Sequence, residues 1–264
     1  MPFIERDGRG IHYEVFGDGP PVLLAHSFLC SMAMWAPQIE ALKADHRVIA
    51  VDARGHGASG PAHDGFSMWD AADDHVAVLD ALEVDKAHWA GLSMGGMAGL
   101  RAALRYPDRI ASLMLVDSTG SAQTWFVRTK YRAMSVVATL AGVKPLLPAV
   151  LPLMFGATAR REQPELVQGW ASRFLDLDVP SMIRGIDAIR LRDELGPRLS
   201  EIRCPAIVIV GLEDKALPPS LSRKVAAGLG CACVEIPGCG HLSAQEQPEQ
   251  VTAAMKAFLA GQAG

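Results

Sequence analysis

The chain has 264 residues, of which 50% are apolar and 20% charged, and its formal net charge is −4. These values are typical of a globular protein with a sizeable core, and they exclude disordered and fibrous chains. Acidic and basic residues are interspersed, so no nucleic-acid partner is expected, because a nucleic-acid-binding face needs clustered Lys and Arg.

The N-terminal segment and the cysteines indicate a reducing compartment. Residues 1–19 show no basic leader followed by an apolar core, so no secretory signal is visible and a cytoplasmic location is expected. An odd number of cysteines in a chain of this length fits free or buried thiols, not a disulfide framework. The five cysteines are Cys30, Cys204, Cys231, Cys233 and Cys239.

Short apolar runs alternate with longer helix-like segments along the chain. The predicted strands are residues 11–17, 21–26, 47–52, 86–92, 110–118, 205–211 and 232–238. The predicted helices are residues 33–44, 67–83, 95–105, 218–228 and 246–260. This alternation is the pattern of βαβ units and predicts an α/β fold with a mostly parallel central sheet flanked by helices.

The predicted helix at residues 67–83 carries three aspartates opposite its apolar side, namely Asp70, Asp73 and Asp74. Because Asp73 and Asp74 point apart on a helix, we favour a solvated acidic face over a metal site.

Residues 91–95, with the sequence GLSMG, lie where a predicted strand passes into a predicted helix, and they match the G-x-S-x-G nucleophile elbow. On so sharp a turn a serine is held in a strained conformation with its hydroxyl exposed, and its neighbours must be small. Ser93 is therefore the candidate nucleophile. Met94 begins the following helix, so its backbone N–H is free to stabilise an anion.

The strand pattern stops near Ser118 and resumes near Pro205, and the residues between them are too numerous for a plain loop. We predict a helical cap at residues 121–198, inserted into a core domain formed by residues 1–120 and 199–264.

Residues 134–159 of the cap are almost wholly apolar. Lys144 and three prolines interrupt them, so the apolar runs fall short of the roughly 20 residues that a membrane-spanning helix needs. We therefore expect broken short helices that cover an apolar site, and no membrane partner.

Two later loops supply the partners that a serine nucleophile requires, because a serine hydroxyl needs a base and the base needs an orienting group. His241 lies on a glycine-flanked loop after the last predicted strand, and Asp214 follows the preceding strand. His26 and His56 are rival bases, and Glu213 and Asp117 are rival acids. The chain order Ser93, Asp214, His241 is the one associated with α/β-hydrolases.

Over nearly its whole length the chain resembles the α/β-hydrolase family. Besides the elbow, the blocks that carry the resemblance are DARGHGAS at 52–59, RYPDRIASLMLVDS at 105–118, EDKALPP at 213–219 and GCGHL at 238–242. The resemblance implies a Ser93–His241–Asp214 triad and an oxyanion hole formed by the backbone amides of Phe28 and Met94. Ser27 departs from the glycine that many relatives carry before the first of these amides.

The cap composition bears on the substrate, because an apolar lid suits an apolar acyl or alcohol group. The residues expected to line the substrate pocket are His26, Ser27, Trp125, Phe155, Leu217 and Leu242. The cap arginines either bind a substrate carboxylate or, as we favour, form surface ion pairs. These arginines are Arg128, Arg132, Arg160, Arg161, Arg173, Arg184 and Arg190.

Cys231, Cys233, Cys239 and His241 lie close together near the end of the chain but lack the C-x2-C spacing of zinc sites. Alternate residues of a strand share one face, so core packing is the favoured interpretation. No metal and no cofactor are expected.

Within the family, the segments around residues 26–42, 52–59 and 91–100 look most like 3-oxoadipate enol-lactonases, small serine esterases and cofactor-free haloperoxidases. The resemblance implies hydrolysis of a small-molecule carboxylic ester or lactone through an acyl-enzyme. The alternatives are perhydrolysis, carbon–carbon bond hydrolysis, and slow-turnover ligand binding in a signalling protein. The sequence leaves the natural substrate and the oligomeric state open.

Overall fold

One eight-stranded sheet runs through the protein. The computed structural model describes residues 2–262, and its strands are β1 (Phe3–Arg6), β2 (Arg9–Phe16), β3 (Pro21–Ala25), β4 (Arg47–Val51), β5 (Ala87–Leu92), β6 (Ile110–Val116), β7 (Ala206–Gly211) and β8 (Ala232–Ile236). Their order in the sheet is β1-β2-β4-β3-β5-β6-β7-β8. β2 pairs antiparallel with β1 and β4, and the pairs from β4 to β8 are parallel.

Helices cover both faces of the sheet. They are α1 (Ala36–Leu42), α2 (Met68–Ala81), α3 (Met94–Arg105), α4 (Trp125–Ala141), α5 (Leu147–Met154), α6 (Ala157–Glu162), α7 (Pro164–Leu175), α8 (Val179–Arg190), α9 (Pro219–Leu229), α10 (Ser243–Glu246) and α11 (Pro248–Ala260). Successive strand residues point to opposite faces, so Leu23 and Leu24 of β3 pack into different core clusters, one on each side. The predicted α/β fold with a mostly parallel sheet is confirmed.

Several boundaries differ from the sequence prediction for local reasons. The edge strand β1 was not predicted, because its residues are only half-buried or exposed and it pairs with β2 alone. The predicted helix at 33–44 is a 3₁₀ turn, Met32–Trp35, followed by α1. The predicted helix at 246–260 is α10 and α11, because Pro248 has no N–H to continue a helix and instead begins a new one.

The three aspartates of α2 do not form the solvated face that the sequence favoured. Asp70 caps the helix with Ser67, and Asp74 is buried in a bidentate ion pair with Arg54, at 2.5 and 2.6 Å. Asp73 binds Arg105 at 2.7 Å. Asp73 and Asp74 therefore pair with arginines distant in sequence, which helical spacing does not reveal, whereas Asp70 has a local capping role.

Residues 121–198 lie between β6 and β7 and carry α4 to α8, and we refer to them as the helical insertion. Their apolar stretch 134–159 consists of the end of α4, a 3₁₀ turn at Lys144–Leu146, α5 and the start of α6, so the expected broken short helices are present. Within residues 2–262, no helix is both long enough and apolar enough to cross a membrane.

Candidate active site

Ser93 lies on the turn between β5 and α3 and has a strained backbone. Its φ of 51° and ψ of −109° place it outside the regions that a non-glycine residue ordinarily occupies. The turn is fixed by hydrogen bonds from the Ser93 amide to the Val116 carbonyl and from the Gly95 amide to the His26 carbonyl. These two hydrogen bonds, to β6 and to the loop after β3, therefore maintain the strained conformation of Ser93.

The glycines around Ser93 are required by close backbone approach. A Cβ at Gly95 would lie 2.1 Å from the Ala25 carbonyl oxygen, and a Cβ at Gly91 would lie 2.4 Å from the Gly95 carbonyl carbon. Real Cβ atoms do not tolerate such distances, so α3 approaches β3 and β5 this closely only because these side chains are absent.

His241 and Asp214 meet at the carboxyl edge of the sheet. The His241 Nδ1 donates to Asp214 Oδ2 at 2.7 Å, which leaves Nε2 free, and both side chains are buried. Asp214 Oδ1 accepts from the amides of Ala216 and Leu217 at 2.8 and 2.9 Å. Burial alone lowers the pKa of His241, but the charge and hydrogen bond of Asp214, together with the charges of Asp117 and Glu246, outweigh burial and raise that pKa above its ordinary value.

The rival acids are bound elsewhere. Glu213 accepts from the amide and hydroxyl of Thr158 in α6. Asp117, at the end of β6, accepts from the Gly211 amide at 2.8 Å and from the Ser243 hydroxyl. Burial and the neighbouring charge of Asp214 raise the pKa of Asp117 well above its usual range. Of the three carboxylates, Asp214 is the one that binds His241.

The rival histidines have other partners. His56 lies beside His26, its Nδ1 donates to the Arg54 carbonyl at 3.0 Å, and burial lowers its pKa to about 3. His26 Nδ1 donates to the Ser27 carbonyl at 2.7 Å while Nε2 accepts from the Ala53 amide at 2.9 Å, which defines a neutral imidazole. Burial lowers the pKa of His26 as well.

The two amides expected in the oxyanion hole are free donors. Neither the Phe28 nor the Met94 amide donates to a protein acceptor in the described part of the chain. The Ser27 carbonyl and the Phe28 N–H belong to one peptide unit, so the bond from His26 to that carbonyl also fixes the direction of the N–H. His26 is thus a positioning residue for the loop and does not line the cavity.

Ser27, the departure from glycine, is fully buried and lines the cavity beside Ser93. Its hydroxyl has no hydrogen-bond partner within residues 2–262. A buried hydroxyl without a partner is costly, so a substrate oxygen in the cavity would relieve that cost.

A cavity opens between Ser93, His241 and the helical insertion. Its polar lining consists of Ser27, Ser93, Gln123, Tyr131 and His241, and the rest is apolar. None of the described residues that line it is Asp, Glu, Lys or Arg, so none of the cap arginines faces the substrate space. The cavity therefore offers several hydrogen-bonding groups near Ser93 and an uncharged wall elsewhere.

Two of the six residues expected to line the pocket do so, namely Ser27 and Leu217. Trp125 is 78% exposed on the outer side of α4, so the expectation for it was wrong. Phe155 and Leu242 do not line the cavity either, because both are buried in a hydrophobic core cluster. The expectation for His26 was also wrong, because its ring bonds to the Ser27 carbonyl and the Ala53 amide and does not line the cavity.

The sequence reasoning missed the lining residues of α4 and α8, among them Tyr131, Met134, Met182 and Ile186. Helical spacing identifies apolar faces, and Met182, Ile186 and Ile189 are spaced three or four apart on α8. Spacing alone does not show which face of each helix in the insertion is turned toward the sheet.

Cys239 is buried and donates to the Ile236 carbonyl, and Cys231 and Cys233 pack partly buried against the core. Within residues 2–262 no group of three or more His, Cys, Asp or Glu side chains is arranged to hold a metal ion.

The chain was compared with known families and solved structures. A model of the alpha/beta hydrolase fold family matches residues 20–248. A putative carbamate hydrolase RutD of Variovorax paradoxus (strain S110) is 32% identical over 95% of this chain and 96% of that protein.

Two solved structures superpose closely on this chain. A thermophilic esterase from Thermogutta terrifontis has a TM-score of 0.92 and 28% identity, with 99% of this chain and 97% of that one covered. The enol-lactonase from Burkholderia xenovorans LB400 has a TM-score of 0.91 and 30% identity, with 98% and 100% covered.

The sheet order, the strained serine between β5 and α3, and the matches across almost the whole chain agree with one another. The resemblance to enol-lactonases and esterases that the motifs indicated is confirmed. This chain belongs to the α/β-hydrolase family, and it is a hydrolase of that fold.

Proposed function

We propose that the protein is a serine hydrolase of uncharged carboxylic esters and lactones that acts through an acyl-enzyme on Ser93. One observation carries this proposal: a strained serine, a histidine bound to a buried carboxylate, and two free amides surround one end of an apolar cavity. A nucleophile, a base with an orienting carboxylate and two oxyanion donors are the groups that acyl transfer uses, and this combination supports the proposal.

Acylation begins when Ser93 Oγ attacks the substrate carbonyl carbon while His241 Nε2 takes the hydroxyl proton. The carbonyl oxygen becomes an anion, and the amides of Phe28 and Met94 donate to it, each donor lowering the barrier by about 3 kcal/mol. The tetrahedral intermediate then expels the alcohol oxygen, which takes the proton from His241. Ser93 is left as an ester of the acyl group.

Deacylation repeats these steps with water. His241 takes a proton from water as the water oxygen attacks the acyl carbon, and the bond to Ser93 Oγ breaks as Ser93 recovers a proton. The products are a carboxylic acid and free enzyme. Asp214 fixes the His241 ring with Nε2 toward Ser93 and stabilises the imidazolium that forms twice in each cycle.

The uncharged wall of the cavity supports an uncharged substrate. A carboxylate that leaves water for an apolar cavity without a cation loses several kcal/mol of hydration. Arg192, a buried arginine of the insertion, donates from Nε to the Ser121 carbonyl and from Nη1 to the Ile189 carbonyl, and it does not line the cavity. We therefore place an apolar acyl or alcohol group between α4, α5 and α8.

Two p-nitrophenyl esters that differ at a single group test the substrate class: the butyrate, and the hemisuccinate in which a carboxylate replaces the terminal methyl. We expect kcat/KM to be at least about 100-fold higher for the butyrate, equivalent to about 2.7 kcal/mol. Equal values would overturn the uncharged-substrate proposal while leaving the acyl-enzyme intact.

The reaction itself is tested on the butyrate with Ser93→Ala. We expect the rate to fall at least about 1000-fold, because no other group can form the acyl-enzyme. Ser172→Ala, on the exposed side of α7, is the matched control and should retain the wild-type rate. A Ser93→Ala protein that keeps most of its activity would refute the proposed mechanism.

A further inference from the structure

The outer face of α4 presents large apolar side chains to solvent. Trp125, Phe126 and Leu140 are 78%, 72% and 80% exposed, and Val136 and Val137 are exposed as well. An ordinary surface helix turns polar residues outward and apolar residues inward. An exposed apolar patch of this kind indicates an interaction site.

The exposed apolar residues form one stripe along the helix. Residues three, four, seven or eight apart share a face, so Trp125, Val136 and Leu140 align through Thr129 and Ala133 between them. Other residues form the inner face of α4: Tyr131 and Met134 line the cavity, and Ser135 and Ala138 are buried. The stripe is therefore not needed for packing within the described chain.

Basic residues flank the stripe. Arg128 and Arg132 lie on one side of it and Lys130 lies on the other, all three are exposed, and none makes an ion pair within residues 2–262. Residues 118–161 contain six Lys and Arg and no Asp or Glu, although the whole chain has a net charge of −4. Arg161 pairs with Glu162, whereas the three cations of α4 have no acidic partner among the described residues.

The positive charge beside the stripe favours an anionic lipid surface over a second copy of the chain as its partner. A second copy of the chain on the same face would bring two basic surfaces into one interface, because a two-fold interface uses the same patch on both copies. An anionic lipid surface instead supplies phosphates for the cations and an acyl boundary for Trp125 and Leu140. Aromatic and aliphatic side chains flanked by Lys and Arg are the composition of helices that lie in a membrane interface.

We propose that the outer face of α4 docks the protein on anionic membrane surfaces. The apolar stripe enters the boundary between headgroups and acyl chains, and the flanking cations bind lipid phosphates. The expectation of no membrane partner was drawn from the absence of a spanning segment, and peripheral docking needs none. Since the inner face of α4 lines the cavity, docking places the cavity next to the lipid phase.

Flotation of the whole protein with vesicles tests the proposal. We expect binding to vesicles of phosphatidylglycerol and phosphatidylcholine, little binding to phosphatidylcholine alone, and loss of binding between about 0.05 M and about 0.5 M salt. The double variant Trp125→Ser, Leu140→Gln should reduce the partition coefficient at least about tenfold, and so should Arg128→Gln, Lys130→Gln, Arg132→Gln.

Leu191→Gln is the matched control, because Leu191 is an exposed leucine at the end of α8, outside the stripe. It should bind as the wild type does. All variants should hydrolyse a soluble ester at the wild-type rate, which shows that they are folded. Absent binding to anionic vesicles, or binding that the α4 substitutions leave unchanged, would overturn the proposal. A dimer in sedimentation that the α4 substitutions dissociate would also overturn it, since a second copy would then cover the stripe.

Discussion

At the scale of single residues, the candidate site depends on how two neighbouring carboxyl groups are hydrogen-bonded. Asp117 and Asp214 are both buried near His241, and two adjacent anions without a cation would be unstable. The structure separates them: Asp214 binds His241, whereas burial raises the pKa of Asp117, which bonds to Ser243 and Gly211. Of these two carboxyl groups, Asp214 is therefore the one that contacts the imidazole ring.

The pH dependence of kcat/KM should reflect the raised pKa of His241. Only neutral His241 acts as a base, so we expect activity to fall as pH decreases through a pKa above 6.5. Asp214→Asn removes the main group that raises this pKa, so the acid limb should move to lower pH. The same change should lower kcat by about 1000-fold or more, because His241 loses its orienting anion.

Glu213→Gln is the control for that experiment, since Glu213 is adjacent in sequence and bonds to Thr158 instead of His241. Its pH profile should match that of the wild type. A pH profile that shifts in Glu213→Gln and does not shift in Asp214→Asn would show that Glu213, and not Asp214, is the acid that acts on His241.

At the scale of elements, the loop that carries His241 is held by α10 and by the helical insertion. Glu246 of α10 accepts from the amides of Gly240 and Gly156 with one carboxylate oxygen, both at 2.9 Å. A Cβ at Gly240 would lie 2.3 Å from the Gly156 nitrogen, so the two backbones are in contact. Glu246 thus connects the position of His241 to the insertion.

Glu246→Ala should destabilise the protein because it leaves the Gly240 and Gly156 amides buried without partners. Each orphaned donor costs about 1–3 kcal/mol, so we expect the free energy of unfolding in urea to fall by about 2–6 kcal/mol. Glu246→Gln retains an oxygen as acceptor and should lose less than half as much. Glu249→Ala, on the exposed start of α11, should have no effect. If Glu246→Ala is as stable as the wild type, the loop is held by other contacts.

How far the sequence predicts each element depends on how local the deciding forces are. The interior strands and the elbow were predicted, because apolar runs and the G-x-S-x-G turn are local patterns. Three features were not predicted: the edge strand β1, the buried ion pair of Asp74 and the outward position of Trp125. Each of these depends on contacts with residues distant in sequence. The cavity lining is the least local feature, since it is set by how the insertion packs on the sheet.

At the scale of the whole molecule, the parallel sheet brings together groups that are far apart in the chain. Ser93 follows β5, Asp214 follows β7 and His241 follows β8, and the carboxyl ends of these parallel strands lie at one edge. The free amide of Phe28 follows β3 at the same edge. The helical insertion then closes this edge with an apolar wall and carries the basic, apolar face of α4 on its outside.

The central claim, that Ser93 forms a covalent bond to the acyl group, is tested most directly with ethyl p-nitrophenyl butylphosphonate, an uncharged ester from which p-nitrophenolate leaves as Ser93 Oγ bonds to phosphorus. Phosphorus in this reagent takes the place of the carbonyl carbon, and the adduct is stable enough for peptide mapping by mass spectrometry. We predict one butylphosphonyl group per chain, located on Ser93, with esterase activity lost in proportion and no adduct in Ser93→Ala. An adduct on a different residue, or an unlabelled protein that still hydrolyses p-nitrophenyl butyrate, would contradict the account.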